Sequence, residues 1–268
     1  MSEGAIFHWS YRSHSGSRKP RNDDSVVAFA SGPGGAESLP ESGSKTLSEC
    51  DLVFAVSDGM GGGNAGDLAS SLLLRGMSQM IPETFKAAAS GFFPDSLEHL
   101  GGTLRAVHEQ INVAAASCEE QKGMSATVAL AWFTPENLYL ANVGDSRIYL
   151  SRDGELTQLS RDHTLAWDQW KRGQIGEMQY RSHPRRSALY EVMGGGHPRM
   201  RPHLAAIPYL SGDRFLICSD GLIDGLTEQH ICKALAEDLT PTAALEKMLE
   251  RALRGAGTDD TTLIVIHL

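Results

Sequence analysis

Two apolar runs of this chain end in the same three residues. Leu52–Val56 runs into Ser57-Asp58-Gly59, and Phe215–Cys218 runs into Ser219-Asp220-Gly221. An acid set where a buried strand leaves the core is half desolvated, which is unfavourable unless a cation or a hydrogen-bond donor compensates it. Two more acidic groups stand where apolar strands begin: Asn22-Asp23-Asp24 before Val26–Phe29, and Gly257-Thr258-Asp259-Asp260 before Thr261–Ile266. Any one of them alone reads as an everyday turn. Four together constrain the fold, because turns do not require the same adjoining apolar strand. If those strand ends meet at one edge, their carboxylates repel one another unless hard divalent cations neutralise them. Oxygen-only ligands favour Mg²⁺ or Mn²⁺, so the pattern points to a two-metal hydrolytic centre.

Short β-type runs recur along the chain: Ser25–Ala30, Leu52–Ser57, Ala126–Phe133, Asn137–Val143, Arg147–Ser151, Arg214–Ser219 and Thr261–His267. Several are joined by turn-like links such as Thr134-Pro135-Glu136-Asn137 and Arg152-Asp153-Gly154, which imply antiparallel hairpins. Apolar residues recurring at three and four predict helices over about 67–80, 96–117, 227–237 and 242–253, with Pro241 suited to a first turn. Helix pairs interrupt hairpins instead of alternating strictly with strands, so the fold class is α+β, helices covering antiparallel sheets. One domain over 1–268 is expected. Ser31–Ser48, rich in Gly, Ser and Pro, reads as a mobile loop between the first two strands of that series, and Arg172–Arg201 as a longer surface excursion.

The balance of 24 Lys+Arg against 33 Asp+Glu, a net charge of −9, argues against nucleic acid as a partner. No apolar run approaches the ~20 residues that span a bilayer, and no basic-then-hydrophobic leader opens the chain. Neither membrane nor export is expected. Cys50, Cys118, Cys218 and Cys232 are irregularly spaced with no C-x-x-C pair, which fits neither a disulfide framework nor a zinc site and makes a reducing cytoplasm the default. Gly61, Gly63 and Gly66 do satisfy the G-x-G-x-x-G dinucleotide pattern. No clear strand closes a βαβ unit after the following helix, however, and Asp58 would set an anion beside a pyrophosphate.

Taken in order, Asn22-Asp23-Asp24, Asp58-Gly59-Met60-Gly61-Gly62, Met124-Ser125-Ala126-Thr127, Val143-Gly144-Asp145-Ser146-Arg147, Leu159-Ser160-Arg161-Asp162-His163-Thr164, Cys218-Ser219-Asp220-Gly221-Leu222 and Asp259-Asp260-Thr261-Thr262 resemble the metal-dependent serine/threonine protein phosphatases of type 2C in their compact bacterial form. The resemblance runs from about Arg18 to Leu268. It implies a four-layer α/β/β/α sandwich of two antiparallel sheets flanked by helix pairs, with two Mn²⁺ or Mg²⁺ ions at one end. A flap-like excursion over about 165–201 would lie beside them. On matching positions Asp58 would bridge both metals, the Gly59 carbonyl would bind the second, and Asp220 and Asp259 the first. Asp24 would hold metal-bound water, and Asp145 with Asp220 would ligate a weaker third ion.

A water shared by two divalent ions becomes a nucleophile near neutral pH, so direct attack on a phosphoserine or phosphothreonine ester is the implied chemistry. Charge on the phosphate oxygens needs a cation, for which a guanidinium is the natural bidentate partner. The family's arginine position falls on Lys19, with Arg18 beside it, so either residue is the candidate clamp and Arg18 is favoured. Gly63 stands where many relatives have histidine, and Met60, as in most bacterial members, stands where animal members carry a histidine proposed as general acid, which leaves the general acid unassigned. His163 is expected to order a loop, not to bind metal. Within the excursion His183, His197, Arg181, Arg185 and Arg186 either meet the peptide around a phosphoresidue or are solvated. The expected partners are a phosphoprotein substrate and a cognate Ser/Thr kinase pathway, with type VI secretion or stress signalling as settings, and the chain is expected to be a monomer. The alternatives are a catalytically silent pseudophosphatase acting as a binding module, and a phosphatase of small phosphomonoesters.

Overall fold

The computed structural model describes residues 5–268 apart from 19, 33, 48–49, 64 and 90–95, with the side chains of 83–89 and 96 also outside the description. Chain order is β1 (Ile6–His14), β2 (Asp24–Gly32), β3 (Gly35–Ser38), β4 (Ser42–Thr46), β5 (Asp51–Met60), α1 (Ala65–Ala89), α2 (Ser96–Ser117), β6 (Ser125–Ala126), β7 (Val128–Phe133), β8 (Leu138–Val143), β9 (Arg147–Arg152) and β10 (Glu155–Gln158). Then follow α3 (Leu165–Lys171), α4 (Glu177–Arg181), β11 (Met193–Gly194), β12 (His203–Ile207), β13 (Arg214–Cys218), α5 (Asp220–Gly225), α6 (Glu228–Ala236), α7 (Pro241–Gly255) and β14 (Thr261–His267).

One sheet has the order β10-β9-β13-β14-β1-β4, and the other runs β11-β6-β5-β7-β8-β12 with β2 paired to β5 and to β3. The described pairings are antiparallel. Side-chain alternation assembles the layers, since successive residues of a strand point to opposite faces. Along β5, Leu52, Phe54 and Val56 join the core between the sheets, while Val53 and Ala55 join the core under α1 and α2. Along β14, Ile264 and Ile266 face the inter-sheet core, and Leu263 and Val265 face α5–α7. Strands buried on both faces read as continuous apolar runs, which is why these strands stood out in the sequence. The result is the expected α/β/β/α sandwich.

Three features differ from the sequence reading. Ser31–Ser48 contains β3 and β4 in place of a mobile loop. Leu39 and Leu47 are buried there, the Trp9 indole donates to the Pro40 carbonyl at 2.9 Å, and Gly43 lies so close to the Trp9 ring that a Cβ would stand 2.8 Å from it. Here the glycine serves close packing, not freedom. β1, absent from the sequence reading, is fixed by its neighbours β14 and β4 on either side. The first long helix continues through Pro82 to Ala89, beyond the expected end near 80. Ile81, 1% exposed in the core shared with α2, supplies the packing that overrides local preference.

At the far end of β5 from Asp58, Asp51 is buried and accepts the Trp132 indole N–H at 2.8 Å. Burial pushes its carboxyl up to about 6, against the lowering effect of that hydrogen bond. The folded state therefore keeps a proton that the unfolded chain has released, so this contribution is full below the ordinary carboxylate range and is lost as pH rises through 6. Asp51→Asn should gain about 2 kcal/mol relative to wild type between about pH 4.5 and about pH 7.5. Urea midpoints of both proteins at the two pH values check it, and a constant difference would reject it.

Candidate metal centre and active site

The alternation that builds the core also aims the acids. Asp58 shares the inter-sheet face of Phe54 and Val56, and Asp24 stands directly opposite it in the β2–β5 register. From the other sheet, Ser219 at the end of β13 donates its hydroxyl to Asp24 Oδ2 at 2.7 Å and accepts the Thr262 N–H at 3.0 Å. Both sheets thus converge on Asp24 at one end of the sandwich, as the four acidic groups require. Asp24 Oδ1 is buried and accepts no hydrogen bond. Burial first, then the charges of Asp220 and Asp260, raise the Asp24 carboxyl to about 7, although hydroxyls of Ser219 and Thr262 oppose this.

Asp58 is held by its backbone. Its N–H donates to Thr127 Oγ1 at 2.9 Å and its carbonyl accepts the Thr127 N–H at 2.8 Å. Thr127 interrupts β6 and β7, and its hydroxyl also lies 2.7 Å from that of Ser146 beside Asp145. Gly59 follows with no room for a side chain: a Cβ would sit 2.0 Å from the Gly66 carbonyl oxygen and 2.8 Å from that of Asp23. Two glycines in contact, Gly59 and Gly66, let the start of α1 close against the end of β5.

Asp220 opens α5 with Ser219 as its N-cap residue. Asp145 lies in the Gly144–Ser146 turn between β8 and β9 and is 9% exposed. Its carboxyl is raised, chiefly by burial and then by the charges of Asp220 and Asp162, with Arg147 and Arg186 acting in opposition. Asp145 and Asp220 are thus brought into one electrostatic neighbourhood. Asp259 stands just before β14 with Oδ1 accepting the Asp260 N–H at 2.9 Å.

Asp260 is a residue that the sequence reading did not separate from its neighbour. It is 1% exposed, and its two oxygens accept the N–H groups of Gly16 and Asp23, each at 2.8 Å. Ser17 and Arg18 add backbone bonds to the Gly257 and Thr258 carbonyls at 3.1 and 3.3 Å. The β1–β2 loop is thereby laid along the turn that carries Asp259, and Arg18 is exposed on its rim. Lys19, the other candidate clamp, lies outside the described residues. The only sequence signal for Asp260 was its place in a doubled acid; the donors it serves are over 230 positions away.

A second missed group lies under Asp145. Arg147, 2% exposed, is bidentate to Asp162 and also donates to Tyr149 Oη at 2.7 Å and Tyr180 Oη at 2.5 Å. His163 accepts the Gly144 N–H on Nδ1 at 3.0 Å and is held down to about 4, mainly by burial. It orders the loop, as expected. Arg181 and Arg186 turn inward: Arg181 donates to the carbonyls of Leu226 and Ile223 at 3.0 and 2.9 Å, and Arg186 pairs with Asp224. Those two cations tie the excursion to the end of α5.

Among the described residues no three His, Cys, Asp or Glu side chains are drawn into a closed metal cage. Like charges keep one another apart, and Asp24 and Asp259 each give one oxygen to a protein donor. The donor set nevertheless suits a hard cation: it consists of carboxylates and a backbone carbonyl, it includes the buried Asp24 Oδ1, and it already carries mutual repulsion. Among the described residues no helix is long and apolar enough to cross a membrane.

The protein phosphatase 2C model matches residues 41–256. The serine/threonine protein phosphatase PstP of Mycobacterium tuberculosis is 32% identical over 260 residues, which are 97% of this chain and 45% of that protein. This chain therefore spans about half the length of that relative. The crystal structure of M. tuberculosis PstP/Ppp superposes with a TM-score of 0.80 at 31% identity, covering 98% of this chain and 99% of the solved one. The catalytic domain of PstP in complex with two manganese ions superposes with a TM-score of 0.76 at 28% identity, covering 98% of each chain. A family match over most of the sequence and a nearly end-to-end overlay agree: the chain belongs to the protein phosphatase 2C family.

Proposed function

We propose that this chain is a metal-dependent phosphoprotein phosphatase that hydrolyses phosphoserine and phosphothreonine, acting as one catalytic domain in the cytoplasm against a serine/threonine kinase. The observation that carries the reading is the convergence of both sheets on Asp24, whose Oδ1 is buried without a donor opposite Asp58 and within reach of the Asp220 charge. In this reading Asp58, the Gly59 carbonyl, Asp220 and Asp259 would hold two Mn²⁺ or Mg²⁺ ions. Asp24 would order the water around them, and Asp145 with Asp220 would hold a weaker third. Ions bound there supply Lewis acidity, which lowers the pKa of water and neutralises charge on the phosphate.

The chain's own residues then orient the substrate. Arg18 stands on the rim beside Asp259, fastened by its backbone N–H to the Thr258 carbonyl. Its planar fork can grip two phosphate oxygens at once and turn the ester toward the acids. Thr127 fixes the backbone of Asp58, and Ser219 fixes one oxygen of Asp24 while leaving the other for the ordered water. Retention of Asp58, Asp220 and Asp259 gives the silent binding-module alternative no support.

The test is turnover of p-nitrophenyl phosphate with and without Mn²⁺, followed by phosphothreonine peptides against small sugar phosphates. Mn²⁺-dependent turnover with preference for the peptides is expected, and Arg18→Ala should raise KM as well as lower kcat. Folded protein that is inactive with Mn²⁺ would overturn the reading. Activity confined to the sugar phosphates would replace it with a metabolite phosphatase.

A further inference from the structure

Apart from the acidic end, the molecule carries a cleft where the excursion returns to the sheet. One cavity of about 480 Å³ and another of about 510 Å³ share Tyr190, Glu191 and Arg201 in their walls. His197 and Arg199 line the first, and Arg161, His163 and His203 line the second. None of the acids assigned above lines either. In a chain of net charge −9 this is a basic enclave. The acids here are Asp168, paired with Arg161 at 2.8 Å, and Glu191, which accepts the Arg201 N–H and Nε at 3.0 and 3.1 Å.

Those pairs leave cationic surface to spare. The Arg201 side chain is 90% exposed even while bound to Glu191, and Arg199 is exposed beside it. His203, which lines the second cavity, has a buried Nδ1 with no hydrogen-bond partner. His163 and His203 are both kept neutral by burial, so each can offer an N–H without needing a counter-ion.

The walls are also preformed. From α2, His108 accepts the Gly194 N–H on Nδ1 at 3.0 Å and contacts the His197 carbonyl through Nε2 at 2.9 Å. One turn on, Asn112 donates to the same carbonyl at 2.9 Å and accepts the Gly196 N–H at 3.0 Å. The gripped turn needs three successive positive φ angles, +81° at Gly194, +69° at Gly195 and +73° at Gly196, which only glycine adopts freely. Opposite, Asn142 accepts the Arg161 N–H at 3.3 Å, and His163 is bonded in both directions to Gly144, the neighbour of Asp145. Through His163 the cleft therefore adjoins a turn of the acidic end.

We propose that this cleft is a second anion site, which takes a carboxylate or phosphate side chain of the protein substrate at some residues' distance from the ester being cleaved. The proposal rests on the phosphatase reading. A preformed wall of arginine forks and neutral imidazole N–H groups recognises an anion without a large ordering cost, and a locally basic groove selects acidic segments for an otherwise acidic protein.

The experiment uses peptides with one phosphothreonine and either glutamate or a non-hydrolysable phosphonate at each position up to about eight residues away, a reach of roughly 25 Å. Relative to alanine, at one or two positions the anion should lower KM about fivefold with kcat unchanged. The gain should vanish in Arg199→Glu, whose turnover of p-nitrophenyl phosphate should equal wild type. A gain with either anion supports the site, and a gain with the phosphonate alone assigns it to phosphate. No gain at any position, or an undiminished gain in Arg199→Glu, overturns it. Fluorescence anisotropy of labelled glutamate and phosphonate peptides on metal-free protein separates this from failure of the phosphatase reading: equal binding of both peptides by wild type and Arg199→Glu rejects the cleft, whatever the activity.

Discussion

Asp220→Asn should lower Mn²⁺-dependent turnover at least about a thousandfold, equivalent to ~4 kcal/mol in the barrier, while the metal-free protein becomes no less stable. The two signs follow from one cause. Asp220 adds negative charge to a neighbourhood that already contains Asp24 and Asp145, and its charge pushes both of those carboxyls upward. Neutralising it relieves repulsion in the bare protein and removes attraction for the ions. Its position at the start of a short helix, half-buried, gives asparagine the same space. Calorimetric titration with Mn²⁺ should show weakened binding, and thermal unfolding without metal an equal or higher midpoint. Turnover near wild type would remove Asp220 from the site. A collapsed melting point would mean that its role is structural.

Asp260→Ala is expected to have the largest effect on stability. Both of its oxygens are taken up by backbone N–H groups from the β1–β2 loop, and alanine strands those donors next to a residue that was 1% exposed. Losing two charge-assisted bonds of this kind amounts to about 3–5 kcal/mol, a fall of roughly 6–15 °C in Tm for a chain of this size. Function should suffer through position. The loop that Asp260 holds carries Arg18 and leads into Asp24, so KM for phosphopeptides should rise along with the loss of kcat. Asp260→Asn keeps one acceptor and should lie between wild type and alanine in both respects. An unchanged melting point and unchanged KM in the alanine variant would show that the loop is held by its other contacts.

The acids could be read early because each is attached to a strand whose own signal is strong. Asp58 follows Leu52–Val56 and Asp220 follows Phe215–Cys218, and both runs are apolar on every residue because both faces of each strand are buried. The helix over Ser96–Ser117 and the strand over Thr261–His267 match the expected bounds, each following an apolar pattern legible within its own few turns or residues. The segment 31–48 was misread because its glycines and serines have no local preference for a strand, and what orders them is the distant ring of Trp9. The partners of Arg181 and Arg186 were not legible, because a sequence does not reveal that Leu226, Ile223 and Asp224 lie across from them.

What the order of residues determined by itself was which groups are available: strands of period two, acids at their ends, oxygen donors suited to hard cations, and a basic excursion. Only the tertiary structure decided which of these groups meet. Asp24 faces Asp58 because of strand register, Ser219 reaches Asp24 because two sheets pack face to face, and Asp260 holds Gly16 and Asp23 from the opposite end of the chain. The physical reason is range. Propensity and periodicity act over a few neighbouring residues, whereas burial, hydrogen bonding and charge repulsion act between whatever atoms the fold brings within a few ångströms.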